Sequence, residues 1–216
     1  MNKLLIENSI SEELSGGCFD TFVRHYRKGE MILSQLREKT LTGIVLSGVV
    51  LIKSVNSEGE ESLIDICTQG DAFGGGLFPE YGLGSCYAVA KKPCCISYAN
   101  YQKLIRSCEK NCEKHALLID ELFGRAIRRT MMHVDVLSRR SIREKLLAYF
   151  RYVFEGTSGS GELPVSLSEL ADYLCCDRSA MMRELRKLNE SGEVLSKGSH
   201  ISLSGRQMPN TKGKLS

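Results

Sequence analysis

Residues 165–203 read VSLSELADYLCCDRSAMMRELRKLNESGEVLSKGSHISL, and the architecture of the carboxy-terminal part of the chain follows from them. Ser166-Leu-Ser-Glu169 is a capping box, in which hydroxyl and carboxylate each satisfy a backbone N–H left over at a helix start. Leu170, Ala171 and Leu174 follow as an apolar face, with small Ala171 letting a second helix cross closely. Asp177 is a side-chain cap for that second helix, whose Met181, Leu185 and Leu188 recur at i, i+4 and i+7. The pattern leaves Arg178, Arg183, Arg186 and Lys187 facing outward. Val194–Ser196 and His200–Leu203 flank Lys197-Gly198-Ser199 as a hairpin. Two short helices, the second basic and followed by a β wing, suit end-on entry into a DNA major groove. A small bundle with a solvated basic face is the plainer alternative. Cap, turn, basic helix and wing coincide, which disfavours it.

Upstream, Ser141-Ile-Arg-Glu144 is a second capping box and marks a helix restart, hence a hinge at 138–141. Gly156-Thr-Ser-Gly-Ser-Gly161 reads as a flexible loop leading into the capped helices. Residues 110–137 hold no proline and only Gly124 among glycines. Ile119, Phe123, Ile127, Met131 and Val134 make an apolar stripe there, with Arg125, Arg128, Arg129 and Asp135 off it. A helix of that length spans roughly 42 Å, more than a small domain needs to cover its own sheet, so pairing with a twin is expected. From 19 to 98 the chain is strand-rich, with candidates at 22–28, 41–55, 61–68 and 86–98 separated by glycine turns. Many short strands of this kind form a closed antiparallel roll. Residues 1–17 read as a helical lead-in and 204–216 as a fraying tail.

Composition sets the outer bounds. A chain of 216 residues, 42% hydrophobic and 25% charged, is ordinary for a globular protein of one or two domains. It lacks the ~18 consecutive apolar residues of a membrane span and a signal-peptide pattern, so a cytoplasmic location is expected. The net charge is +3, yet residues 138–216 carry 13 lysines and arginines against 9 acidic residues. The basic excess therefore sits with the two capped helices, where contact with DNA phosphates requires it. Nine cysteines at scattered spacing do not form a disulfide framework, and no cluster completes a metal set.

A β-roll, a long helix and a winged helix-turn-helix, in that order, resemble the CRP/FNR family of bacterial transcription regulators. The resemblance rests on Tyr26-Arg-Lys-Gly29-Glu30, Leu46-Ser-Gly48-Val49-Val-Leu51 and Gly70-Asp71-Ala-Phe73-Gly74. It continues through Glu169-Leu-Ala171 and Asp177-Arg178-Ser-Ala-Met-Met-Arg183-Glu-Leu185, covering residues 19–203. The fold it implies is α+β: an antiparallel, jelly-roll-like sensor β-roll over 1–109 and a dimerisation helix over 110–137. A winged helix-turn-helix over 138–203 and a flexible tail over 204–216 complete it. The implied partners are a second copy of the chain, a near-palindromic double-stranded DNA operator and, for an activator, RNA polymerase; no membrane is involved.

By the same resemblance Arg178 and Arg183 fall on the family's two DNA-contacting arginines, and bidentate arginine–guanine contacts discriminate by about 1–3 kcal/mol. Ser179 stands where the family often has glutamate, so the half-site should differ. Met182 can meet a thymine methyl, while Arg186, Lys187 and Ser166 suit phosphate. Cys175 occupies a turn position where the family commonly has glycine in a left-handed conformation. The family's nucleotide binders use a glutamate and an arginine that here align with Gly75 and Gly84. A buried cyclic phosphate without a cation costs several kcal/mol, which argues against cyclic AMP. The effector is left unidentified, and no cofactor is required. Phe73, Gly74, Gly75, Gly76, Leu77, Ser85, Cys86, Tyr87, Ile127, Thr130 and Met131 are the pocket candidates, with Phe78 beside them. Alternatives are a thiol-redox regulator using Cys94, Cys95, Cys108 or Cys112 and, more remotely, a cupin-like metal enzyme. His25 is the only histidine in the strand region, and no catalytic or metal site is assigned.

Overall fold

A computed structural model describes residues 20–34, 40–77, 85–106 and 113–204. The lead-in at 1–17, Phe78, Gly84, Cys108, Cys112 and the tail beyond 204 lie outside the described residues. The chain divides into two compact units, Met1–Arg129 and Thr130–Ser216.

The first unit contains β1 (Thr21–Tyr26), β2 (Met31–Ser34), β3 (Leu41–Ser47), β4 (Val50–Val55), β5 (Glu61–Cys67), β6 (Ala72–Gly74), β7 (Ser85–Ala90) and β8 (Cys94–Asn100). They form two four-stranded antiparallel sheets, β1-β8-β3-β6 and β2-β7-β4-β5. Successive strands switch sheets except at the β4–β5 hairpin, which is the topology of a roll. The expected run 41–55 is in fact two strands broken at Gly48-Val49, and 86–98 breaks at Lys91–Pro93. These two turns pack together. Gly48 has φ +94°, and a Cβ there would fall 2.4 Å from the Pro93 carbonyl, so only glycine closes the turn. Val45, Ile52, Phe73, Cys86, Ile96 and Tyr98 belong to the core between the sheets, each at most 3% exposed.

Helix α1 (Tyr101–Ile105) is capped by Asn100, which accepts from the Lys103 N–H. Helix α2 (Glu113–Ser138) runs through the boundary between the units. Its first turns bury Leu118 and Leu122 against Ile44 and Ala72, with Leu46 and Leu77 at the margin. The stripe read from the sequence is a different face. Ile119 and Phe123 are half-buried, while Ile127, Met131 and Val134 are 61%, 62% and 55% exposed.

The second unit holds α3 (Ile142–Val153), β9 (Ser160–Glu162), α4 (Leu167–Tyr173), α5 (Arg178–Glu190), β10 (Val194–Lys197) and β11 (His200–Leu203). The Ser141 capping box with Glu144 is present, and α3 restarts where expected. Its core joins Leu146, Phe150, Leu170, Met181, Leu188 and Ile201, all 0% exposed. The segment expected as a flexible loop is partly a strand. Ser160–Glu162 pairs with β11 to give the sheet order β10-β11-β9. Gly161 permits this, since a Cβ there would press to 3.1 Å from the Phe154 ring.

Candidate nucleic-acid interface

The turn between α4 and α5 is built by the residues flanking it. Ser166 caps α4, and Glu169 returns to the Ser166 N–H at 2.8 Å and to its hydroxyl at 2.6 Å. At the other end the Cys176 N–H donates to the Ala171 carbonyl at 3.1 Å and the Cys175 N–H to the Asp172 carbonyl at 3.0 Å. This is the Schellman arrangement, which puts the first residue past the helix end in the left-handed region. Cys175 sits there with φ +49°, the one non-glycine residue at positive φ among the described residues. Asp177 then accepts from the Ala180 N–H at 2.7 Å and starts α5.

α5 divides cleanly by face. Met181, Leu185 and Leu188 are 0–2% exposed and anchor it. Arg178, Ser179, Met182, Arg183 and Arg186 share the opposite, exposed face, with Met182 at 36%. Arg178, Arg183 and Arg186 have no ion-pair partner among the described residues. Lys187 is also exposed but pairs with Glu184 at 2.7 Å. The exposed Ser166 is held in its capping box. In the wing, Val194 pairs with Leu203 and Lys197 with His200 across the hairpin. Ser199 donates to Glu162, and Leu195 is 61% exposed.

In the first unit two arginines turn inward. Arg129 Nε lies 2.8 Å from both Asp65 oxygens, Nη1 is 3.0 Å from Asp71 Oδ1, and Nη2 donates to the Ala72 carbonyl at 3.3 Å. Asp71 also accepts from the Thr68 N–H at 2.8 Å and hydroxyl at 3.1 Å. Arg125 Nε stands 3.5 Å from Asp71, and its Nη2 donates to the Gln69 carbonyl at 3.0 Å. Arg129 is only 7% exposed. Burial works against its charge, but the facing carboxylates of Asp65 and Asp71 raise its hold on the proton. Cys67 is driven well up by burial, reinforced by Asp65. The sequence places Arg125 and Arg129 merely off the apolar stripe; their carboxylate partners lie too far along the chain for spacing to reveal them.

The pocket candidates are only partly brought together. Phe73 (2% exposed) and Cys86 (0%) lie in the roll core, with the Phe73 ring where a Gly43 Cβ would otherwise come within 2.6 Å. Leu77 packs instead at the Ile44–Leu122 cluster. Tyr87 is on the other face of its strand from Cys86, its hydroxyl donating to Glu61, which also pairs with Lys53 at 2.9 Å. Tyr87 and Cys86 therefore do not line one cavity. Gly74 is buried, and Gly75 and Gly76 form a 3-10 turn with Leu77. Ser85 pairs through its backbone with Val55. Ile127, Thr130 and Met131 are exposed on α2. Burial pushes the Cys86, Cys94 and Cys95 thiols up, away from the reactive thiolate. Among the described residues no three His, Cys, Asp or Glu side chains converge as metal ligands, and no helix is long and apolar enough to cross a membrane.

Residues 23–111 match the cyclic nucleotide-binding domain family. The chain is 26% identical over 178 residues to the nitrogen fixation regulation protein FixK of Bradyrhizobium diazoefficiens, covering 79% of this chain and 73% of that protein. It is 27% identical over 187 residues to the cAMP-activated global transcriptional regulator CRP of Pasteurella multocida, covering 82% and 87%. Over most of its length the chain is thus similar to regulators of the CRP/FNR type. The structure of FixK2 from Bradyrhizobium japonicum superposes with a TM-score of 0.68 at 21% identity, covering 87% of this chain and 94% of that one. The expected β-roll is thus the fold that this solved structure shares, and the two relatives are regulators by name. Gly75, one of the expected pocket residues, stands in a left-handed conformation. Its φ is +51°, and a Cβ would fall 2.6 Å from Thr42 Oγ1, so this backbone has no room for a side chain there.

Proposed function

We propose that this chain is a homodimeric, sequence-specific DNA-binding transcription regulator whose β-roll answers a signal other than cyclic AMP. The observation that carries the reading is the exposed, unpaired arginine face of α5, presented behind a well-formed cap and turn. Cations already engaged in ion pairs have less to offer phosphates and bases, whereas Arg178, Arg183 and Arg186 are uncommitted among the described residues. Dimerisation is supported by Ile127, Met131 and Val134, which follow i, i+4, i+7 on α2 and stand more than half exposed. A second copy of the same helix supplies a matching stripe, and a symmetric pair of α5 helices suits a near-palindrome. The crowding at Gly75 supports an effector other than cyclic AMP, because no acidic side chain can stand there to meet a ribose.

Selection of bound duplexes from a random DNA pool, with the mass of the protein measured in parallel, tests this. A two-fold-related half-site and a dimeric mass are expected. Arg183→Ala should lose about 1–3 kcal/mol of affinity for the selected duplex and relax base preference at one position. A strictly monomeric protein, or an Arg183→Ala variant that keeps wild-type affinity and preference, would sink the reading.

A further inference from the structure

Helix α4 is short, and every helix end leaves carbonyls without intrahelical donors. The turn satisfies those of Ala171 and Asp172 through the Cys176 and Cys175 N–H groups. The next two carbonyls are met from outside the motif. Lys145 Nζ on α3 donates to the Leu174 carbonyl at 2.9 Å. His133 Nε2, on the last turns of α2, lies 2.8 Å from the Tyr173 carbonyl. A carbonyl only accepts, so Nε2 carries the proton. The imidazole also stacks on the Tyr173 ring, centroids 3.8 Å apart and planes 11° from parallel. Tyr149 meets that ring edge-on at 5.8 Å, and Tyr173 is 2% exposed, so the ring cannot swing away.

Tyr173 precedes the strained Cys175 by two residues and the α5 cap Asp177 by four. Whatever fixes the Tyr173 carbonyl therefore fixes where α5 begins. We propose that His133 is a positioning residue for α5: it ties the helix that carries the exposed apolar stripe to the turn that launches the arginine face. This rests on the reading of α5 as the DNA-contacting helix. Holding the turn costs nothing at the moment of binding, whereas a loosened turn populates the binding-competent orientation only in part and lowers affinity by that fraction.

The test uses the full-length protein, the duplex selected by the wild type and a random-sequence duplex of equal length. His133→Phe keeps a ring on Tyr173 and removes the donor; His133→Gln keeps an N–H donor at similar reach. The Phe variant should lose about three- to tenfold of its preference for the selected duplex. Its dimeric mass should be unchanged, and the amides of residues 175–180 should exchange faster with solvent. The Gln variant should recover most of the preference. Wild-type preference and exchange in the Phe variant would overturn the proposal, as would a Gln variant that falls as far as Phe. Should the Phe variant fail to fold, His133→Asn, too short to reach the carbonyl, takes its place: lost preference and faster exchange support the proposal, and wild-type behaviour overturns it. If the wild type selects no duplex, the reading of α5 fails, and hydrogen exchange alone still decides the role of His133.

Discussion

In the first unit Arg125 and Arg129 turn inward onto Asp65 and Asp71, and Arg129 is nearly sealed from water. In the second, Arg178, Arg183 and Arg186 project from α5 with no carboxylate partner among the described residues. The same side chain thus closes one unit and opens the other. The inward pair fixes α2 against the β5–β6 turn. The outward set keeps its hydrogen-bonding capacity for something the chain itself does not supply. Positive-φ positions differ in the same sense. The roll gives them to glycine at Gly29, Gly48, Gly59, Gly70, Gly74 and Gly75, whereas the α4–α5 turn forces one on Cys175.

The largest effect should come from breaking the inward set. Arg129→Leu leaves two carboxylates facing each other with little water, and about 3–5 kcal/mol of stability should be lost from the first unit in denaturant unfolding. Arg183→Ala, by contrast, should leave unfolding within about 0.5 kcal/mol while weakening DNA binding. Equal stability costs for the two variants would erase the contrast. Cys175→Gly should raise stability by about 1 kcal/mol or less, because left-handed backbone strains a residue with a Cβ; an unchanged or lower unfolding midpoint would show the turn already accommodates it. The smallest effect belongs to Lys187→Ala. Its pair with Glu184 is exposed, so stability should move by a few tenths of a kcal/mol at most. Binding should weaken evenly across sequences, with the salt dependence of affinity shallower by about one ion. A change in base preference would instead move Lys187 into the reading face.

Much of the second unit is legible in the sequence because its signals are local. Capping boxes at Ser141 and Ser166, the Asp177 cap and the i, i+4, i+7 sets each concern residues within two turns of one another. The left-handed conformation at Cys175, φ +49°, is implied by the resemblance alone and not by any local signal. The strand Ser160–Glu162 escapes such a reading because Gly156-Thr-Ser-Gly-Ser-Gly161 has loop composition; only its pairing with β11 orders it. In the roll, the long run 41–55 reads as one strand, since the apolar content is continuous through a tight turn at a glycine packed on Pro93.

Effector placement is the least legible part. The candidates come from two stretches of the roll and one face of α2, yet Cys86 and Tyr87 occupy opposite faces and Leu77 joins a separate cluster. Periodicity assigns α2 one apolar stripe. The folded unit uses another, Leu118 and Leu122, and leaves Ile127, Met131 and Val134 in solvent.

Residue order is enough to set the helices of the second unit, their caps, the wing and the exposed arginine face, since each follows from hydrogen bonds and apolar spacing within a few residues. Only the folded chain buries Arg129 between Asp65 and Asp71 and brings His133 to the Tyr173 carbonyl. Those contacts join groups 40 to 64 residues apart, and no local periodicity encodes a distance across a fold.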